Sequence, residues 1–205
     1  MYTVINASGV SFELPNGRQL FSEVSFSLNT QLTALVGPNG IGKTTLARLI
    51  AGELEPTTGH IQRYGAVTYF PQREEPPSIS VIEYLGDTYE WSTLIESLLK
   101  DIDLGQACTD LSGGQWMRVR LSRIINGQYL ILDEPTNDLD REGRALIFSF
   151  IQNRHGGSLI ISHDRECLHV CDEILELSNR GLKIFGGSWE TYLNSKNHER
   201  ENLEK

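Results

Sequence analysis

Residues 32–44 read LTALVGPNGIGKT, and no other stretch of the chain leaves its fold so little choice. LTALV is a short apolar run of the kind found in strands buried on both faces. A glycine loop of the form G-x-x-x-x-G-K-[ST] follows, and KTTLARLIAG after it reads as a helix. Strand, glycine loop and helix in that order are the context that identifies a phosphate-binding loop; without them the same glycines would be a turn. In the loop Gly37-Pro38-Asn39-Gly40-Ile41-Gly42 the three glycines let the backbone wrap closely, so that successive N–H groups point at phosphate oxygens. The helix starting near Lys43 adds its positive end. Lys43 is expected to reach the β- and γ-phosphates and the Thr44 hydroxyl to ligate Mg²⁺.

YLILD, at 129–133, is a second apolar strand, and it delivers Asp133 to the sheet edge where Mg²⁺ would sit. Glu134 comes next and is expected to point elsewhere, because strand neighbours alternate faces. A carboxylate there can orient or deprotonate an attacking water. Gln72 in YFPQ and His163 in ISHD each follow a further predicted strand. Gln72 is placed near metal and water, and His163 near the γ-phosphate. Taken singly, both would be ordinary loop residues. LSGGQ at 111–115 has no acid, base or nucleophile and reads locally as a turn and a helix start.

The rest of the chain alternates strands and helices. GVSFE, the turn LPNG and VSFSL form an early strand pair, and AVTYF is a strand stopped by PQREEPP. Helical spacing runs from 79 to about 102 through Val81, Tyr84, Leu85, Leu94, Ile95, Leu98 and Leu99, a small helical lobe. Helices are expected over 113–125 and 144–154, a buried strand over 158–162, and a closing hairpin over 172–185. SWETYLNSKNHERENLEK turns polar after Leu193 and reads as a helix leaving the globule, cut from something longer. No apolar run approaches ~18 residues, and the first ten residues lack a signal core. Cys108, Cys167 and Cys171 suit a reducing, cytoplasmic setting; the spacing of the last two around His169 could suggest a metal site, but no second ligand pair accompanies them, and they read as buried or semi-buried thiols on a helix. A net charge of −9 argues against a free-standing nucleic-acid binder.

GPNGIGKT, PQ, LSGGQ, LILDEP, NDLD and SHD stand in the order and relative placement of the ATP-binding-cassette (ABC) ATPases, which the chain resembles from about Val4 to Tyr192. The resemblance implies an α/β, P-loop NTPase fold: an ABC-type nucleotide-binding domain with an antiparallel β-subdomain and a small helical subdomain at about 74–126. It implies ATP and Mg²⁺ as ligands, Gly37 to Thr45 as the Walker A loop and Gln72 as the Q-loop. Asp133 and Glu134 resemble the Walker B end, Asp140 the D-loop and His163 the switch histidine. Ser112, Gly113, Gly114 and Gln115 then belong to a signature that caps ATP held by a second cassette, head to tail. Neutral donors at a helix N-terminus suit that task, since they allow release after hydrolysis.

DEPTNDLD, SHDRECLHVCDEILEL and IFGGSWETYL resemble the ABC-F branch, soluble translation factors whose two cassettes share one chain and bind the ribosome. That likeness makes residues 1–192 one cassette and 193–205 the start of a charged linker or tail. The alternative is the ATP-binding subunit of a membrane transporter, with a transmembrane partner seated on the helical lobe. Two positions depart from the pattern. Leu14 stands where many cassettes carry an adenine-stacking aromatic, with Phe12 nearby, and Asp138 replaces a common histidine. The short segment from Gln72 to Leu111 leaves little room for an arm insertion.

Overall fold

The computed structural model describes residues 4–86, 92–124, 128–137, 139–153 and 156–203. The strands are β1 (Ile5–Glu13), β2 (Gln19–Leu28), β3 (Leu32–Val36), β4 (Thr58–Arg63), β5 (Val67–Phe70), β6 (Tyr129–Asp133), β7 (Ser158–Ile161), β8 (Glu173–Ser178) and β9 (Gly181–Gly186). The helices are α1 (Lys43–Ala51), α2 (Val81–Leu85), α3 (Thr93–Leu99), α4 (Gly113–Ile124), α5 (Arg141–Asn153), α6 (Arg165–His169) and α7 (Trp189–Leu203). Among the described residues no helix is long and apolar enough to cross a membrane.

β3 lies inside a six-stranded sheet of order β5-β6-β7-β3-β8-β9, parallel except for the β8–β9 hairpin at one edge. Its five residues are all buried because both faces of the sheet are covered. Leu35, Ile131, Leu159 and Leu175 face one core, shared with α1 and with a three-stranded antiparallel sheet of order β2-β1-β4. Ala34, Leu130, Leu132, Ile160 and Ile174 face the other, where they meet Val81, Ile95, Leu98 and Met117. The helical lobe therefore shares one continuous core with the sheet. α2 and α3, at five and seven residues, are too short to hold themselves. They are pinned by that burial and by caps, Ser80 accepting from Glu83 N and Ser92 from Ile95 N, each at 3.3 Å.

The 79–102 helical expectation resolves into these two separate helices, and its residues 87–91 lie outside the described ones, as do the expected ends of the 113–125 and 144–154 helices. α5 starts three residues earlier than its apolar spacing suggests, because Asp140 Oδ1 accepts from Gly143 N at 2.8 Å and starts the helix there. β4 is absent from the sequence reading. TGHIQR has no buried residue and is held by backbone pairing to β1, so side-chain periodicity carries no trace of it. The expectation that the last helix leaves the globule is corrected. α7 runs through Tyr192 without a break and lies on the β8–β9 hairpin, with Tyr192 Oη and Lys196 Nζ on the Glu176 carboxylate (2.9 and 3.0 Å) and Lys183 on Glu199.

Candidate functional site

β3 hands the chain to the glycine loop at its carboxyl end. Gly37 has φ +154°, and a Cβ there would stand 2.2 Å from the Leu177 carbonyl oxygen, so only glycine lets the loop leave β3 this close to β8. Gly42, at φ +109°, turns the loop into α1. Asn39 and Gly40 are exposed, Ile41 packs on the second core, and Arg18 reaches the Gly40 carbonyl at 3.4 Å. The Lys43 ammonium donates to the Gly37 and Pro38 carbonyls (2.8 and 3.2 Å), so it lies across the mouth of its own loop. Thr45 follows on α1, half-buried.

Parallel register brings the second half of the site to the same edge. Asp133 pairs with Ile161, and the Thr44 hydroxyl donates to Asp133 Oδ2 at 2.8 Å across 89 positions of sequence. Tyr69 on β5 donates to the same oxygen at 3.2 Å, a contact that sequence reasoning missed. Glu134 does point away from Asp133, but strand alternation is not the cause. β6 ends at Asp133, and Glu134 itself adopts φ +49°, a left-handed conformation held by its N–H on Ile161 O at 2.8 Å. Such a conformation costs a non-glycine residue roughly 1–2 kcal/mol, and its location fits the tendency of strain to collect at functional sites. The turn aims the carboxylate at His163: Oε2 accepts from the His163 N–H at 3.4 Å, and Oε1 lies 3.6 Å from Nε2.

Burial dominates the electrostatics. It pushes the Asp133 carboxyl up against the opposing pull of Thr44, Tyr69 and Lys43. It pushes Glu134 up against His163, and it lowers Lys43 despite both carboxylates. The hydrogen-bonded Tyr69 hydroxyl is driven far up, by burial first and by Asp133 next. A buried carboxylate whose charge is penalised, beside a hydroxyl oxygen 2.8 Å away, is a pair of hard oxygen donors suited to Mg²⁺. The residues present fit that ion.

The remaining candidates divide into two places. Ser112 and Gln115 form a reciprocal capping box: Gln115 N–H donates to Ser112 Oγ at 3.3 Å, and Ser112 N–H to Gln115 Oε1 at 3.0 Å. Ser112, Gly114 and Gln115 line a cavity with Arg118, Leu139 and Asp140. Gly37, Pro38, Lys43 and His163 line another, and the two share no residue. Gln72 is exposed and borders a third cavity with Gly113, and its placement does not join it to Thr44 and Asp133. Phe12 stacks on Phe21 (centroids 6.4 Å apart), while Leu14 begins the tight turn before β2. Asp138 lies outside the described residues. Cys167 and Cys171 are buried at α6, and burial raises both thiols.

Comparison with known proteins agrees with this geometry. The ABC transporter family model matches residues 21–137, from β2 through the site strand β6. The zinc import ATP-binding protein ZnuC of Rhizobium meliloti is 33% identical over 204 residues, covering 83% of this chain and 68% of that protein. The energy-dependent translational throttle protein EttA of Escherichia coli K12 is 31% identical over 195 residues, covering 85% of this chain and 35% of EttA. Among solved structures, an ATP-bound bacterial Atm1-family ABC exporter superposes with a TM-score of 0.77 at 23% identity, over 95% of this chain and 40% of that one, which speaks for the fold. The chain spans 34–40% of the length of the first curated relatives it matches. With its phosphate loop, its Thr44–Asp133 pair and its six-stranded sheet in place, the chain belongs to the ABC transporter family, as one of its ATP-binding cassettes.

Proposed function

We propose that this cassette hydrolyses ATP with Mg²⁺ once a second cassette closes on it head to tail. The observation that carries the reading is the pair of acids on one strand end: Asp133 bonded to Thr44 of the phosphate loop, Glu134 turned separately onto His163. Thr44 and Asp133 would hold Mg²⁺, which when bound neutralises charge between the β- and γ-phosphates. Gln72, from its exposed loop, is proposed to reach that metal from outside. Lys43 leaves its loop carbonyls for the phosphates. Glu134, its basicity raised by burial, orients a water and takes its proton, and His163 braces that carboxylate and the γ-phosphate. Ser112, Gly113, Gly114 and Gln115 cap the partner's nucleotide, consistent with a signature cavity that shares no lining with the chain's own phosphate loop.

The wider role we assign is that of an ABC-F translation factor, a cytoplasmic protein whose second cassette lies on the same parent chain or on a second copy. The likeness to EttA and the DEPTNDLD and SHDR runs support it. The likeness to ZnuC, over two thirds of that protein, favours the transporter subunit as the second reading. Glu134→Gln in the parent protein should retain ATP binding while slowing turnover by two orders of magnitude or more. The same variant should co-sediment with ribosomes in ATP. Near-normal turnover would remove Glu134 from its role, and absence from ribosomes would leave the transporter reading.

A further inference from the structure

The phosphate loop has two flanks. Gly37, Pro38 and Lys43 border the cavity that also holds His163, the flank that the functional reading gives to the γ-phosphate. Gly40 and Gly42 form the other flank, toward the start of β2. A Cβ at Gly42 would stand 3.2 Å from Leu20 Cδ1 and 3.5 Å from Phe21 Cε1, whereas one at Gly40 would meet nothing within 4 Å. The loop is therefore packed on β2 at Gly42 and open at Gly40. Arg18 overhangs that opening. Its backbone is fixed by the turn before β2: its carbonyl accepts from the Leu14 N–H at 2.9 Å, and its own N–H donates to Asn16 Oδ1 at 3.1 Å. Its side chain crosses 22 positions of sequence to donate from Nη2 to the Gly40 carbonyl at 3.4 Å. The residue is otherwise exposed, and no carboxylate among the described residues pairs with it. The nearby aromatic rings are already engaged with each other, Phe12 on Phe21.

We infer that Arg18 is the base-facing residue of the nucleotide site and makes that site tolerant of base identity: its ligands are the nucleoside triphosphates, purine and pyrimidine alike. A triphosphate anchored at Lys43, with its γ end toward His163, leaves its nucleoside on the Gly40 flank beside the guanidinium. A guanidinium is planar and stacks on aromatic faces, and every base has such a face. Telling one base from another by a large factor takes buried groups that hydrogen-bond the right base and are left unpaired by the wrong one. The other polar side chains of this turn, Glu13, Asn16 and Gln19, are exposed, so water supplies whatever partner a wrong base withholds. Stacking on Arg18 thus gives affinity without choice. The inference rests on the functional reading above and widens its substrate class.

Calorimetric titration of the chain with the Mg²⁺ complexes of ATP, GTP, CTP and UTP, and with inorganic tripolyphosphate, tests this. The nucleotides should bind within about tenfold of one another. Arg18→Ala should weaken every nucleotide by about tenfold and leave tripolyphosphate within about twofold, because only the base has lost its partner. Arg18→Lys keeps the charge without the plane and should behave like Arg18→Ala, whereas Arg18→Trp restores a plane and should return ATP affinity to within about threefold of the parent. Melting temperatures should stay within about 2 °C throughout, since the side chain makes one long hydrogen bond at the surface. A preference for ATP beyond about tenfold, nucleotide affinities unchanged in Arg18→Ala, full rescue by Arg18→Lys, or an equal loss for tripolyphosphate each overturns the base-facing role and leaves the functional reading intact. Binding of no triphosphate, or binding that survives Lys43→Ala, overturns the functional reading, and the inference with it.

Discussion

Asp133→Asn should make the nucleotide-free chain more stable and at the same time useless for its ligand. Asp133 is 2% exposed and accepts two hydrogen bonds on Oδ2, from Thr44 at 2.8 Å and Tyr69 at 3.2 Å. The nearest cation, Lys43, is turned to the Gly37 and Pro38 carbonyls. An asparagine carbonyl can accept both bonds, while a buried carboxylate must also hold its charge out of water. Each unit by which burial raises a carboxyl pKa removes about 1.4 kcal/mol of stability at a pH above both values. The two retained hydrogen bonds limit the net change, so a gain of about 1 kcal/mol is expected, in the range of other relieved active-site residues. For a chain of 205 residues that is about 2–4 °C in Tm.

The sign with pH follows from the raised folded pKa. Between the ordinary carboxylate value and the raised one, the folded parent binds more protons than the unfolded chain, so its stability falls as pH rises through that window. The variant lacks the group, and Glu134 is common to both. The gap in Tm should therefore be widest near pH 8 and close as pH falls toward the ordinary carboxylate range. Thermal melts in EDTA across that range measure it. Mg²⁺·ATP at a hundredfold over Kd should then add about 2.7 kcal/mol to the parent and almost nothing to the variant, which reverses their order. A variant less stable than its parent at pH 8, or a gap indifferent to pH, would refute the argument that burial of charge dominates at Asp133.

Ser112→Ala removes one arm of the capping box and should cost about 1 kcal/mol in thermal stability. Its larger effect should be lost turnover with the second cassette present, while ATP affinity of the isolated chain, by titration, stays nearly intact. Leu98→Ala, at a fully buried site on α3, should cost about 2–5 kcal/mol. Calorimetry should show one lowered transition, because the helical lobe shares its core with Leu132 and Ile160. Gly37→Ala forces a methyl onto the Leu177 carbonyl and should abolish nucleotide binding in a fluorescence titration, with a Tm loss of several degrees.

What could be read before the structure was seen depends on how each residue is held. β3 and β6 were legible to the residue because both faces of each are buried, so their positions are apolar apart from Thr33 and the site residue Asp133. The phosphate loop was legible because its glycines answer to backbone geometry within eight residues. β4 was silent because its hold is backbone pairing on an exposed edge. Tyr69 and Glu74 were silent for a different reason. Tyr69 reaches Asp133 only because β5 lies beside β6 in parallel register, with Phe70 opposite Leu132, and the two positions are 64 apart in sequence. Glu74 meets Arg120 across 46 residues. A tyrosine next to the last residue of a strand and a glutamate in a proline-rich loop carry no local pattern. Long-range register makes their chemistry.

The same distinction explains why the signature turn looks inert on its own. Within the chain its polar groups are spent on each other: Ser112 Oγ and Gln115 Oε1 each satisfy the other residue's N–H. The helix end they cap begins with two glycines, which carry no side chain to shield the backbone, and α4 runs twelve residues behind it. A helix start that is stabilised internally yet bare toward solvent leaves its N–H groups and positive end available to an anion. The lining of its cavity contains no residue of the chain's own phosphate loop, as the proposed capping of a second cassette's nucleotide requires.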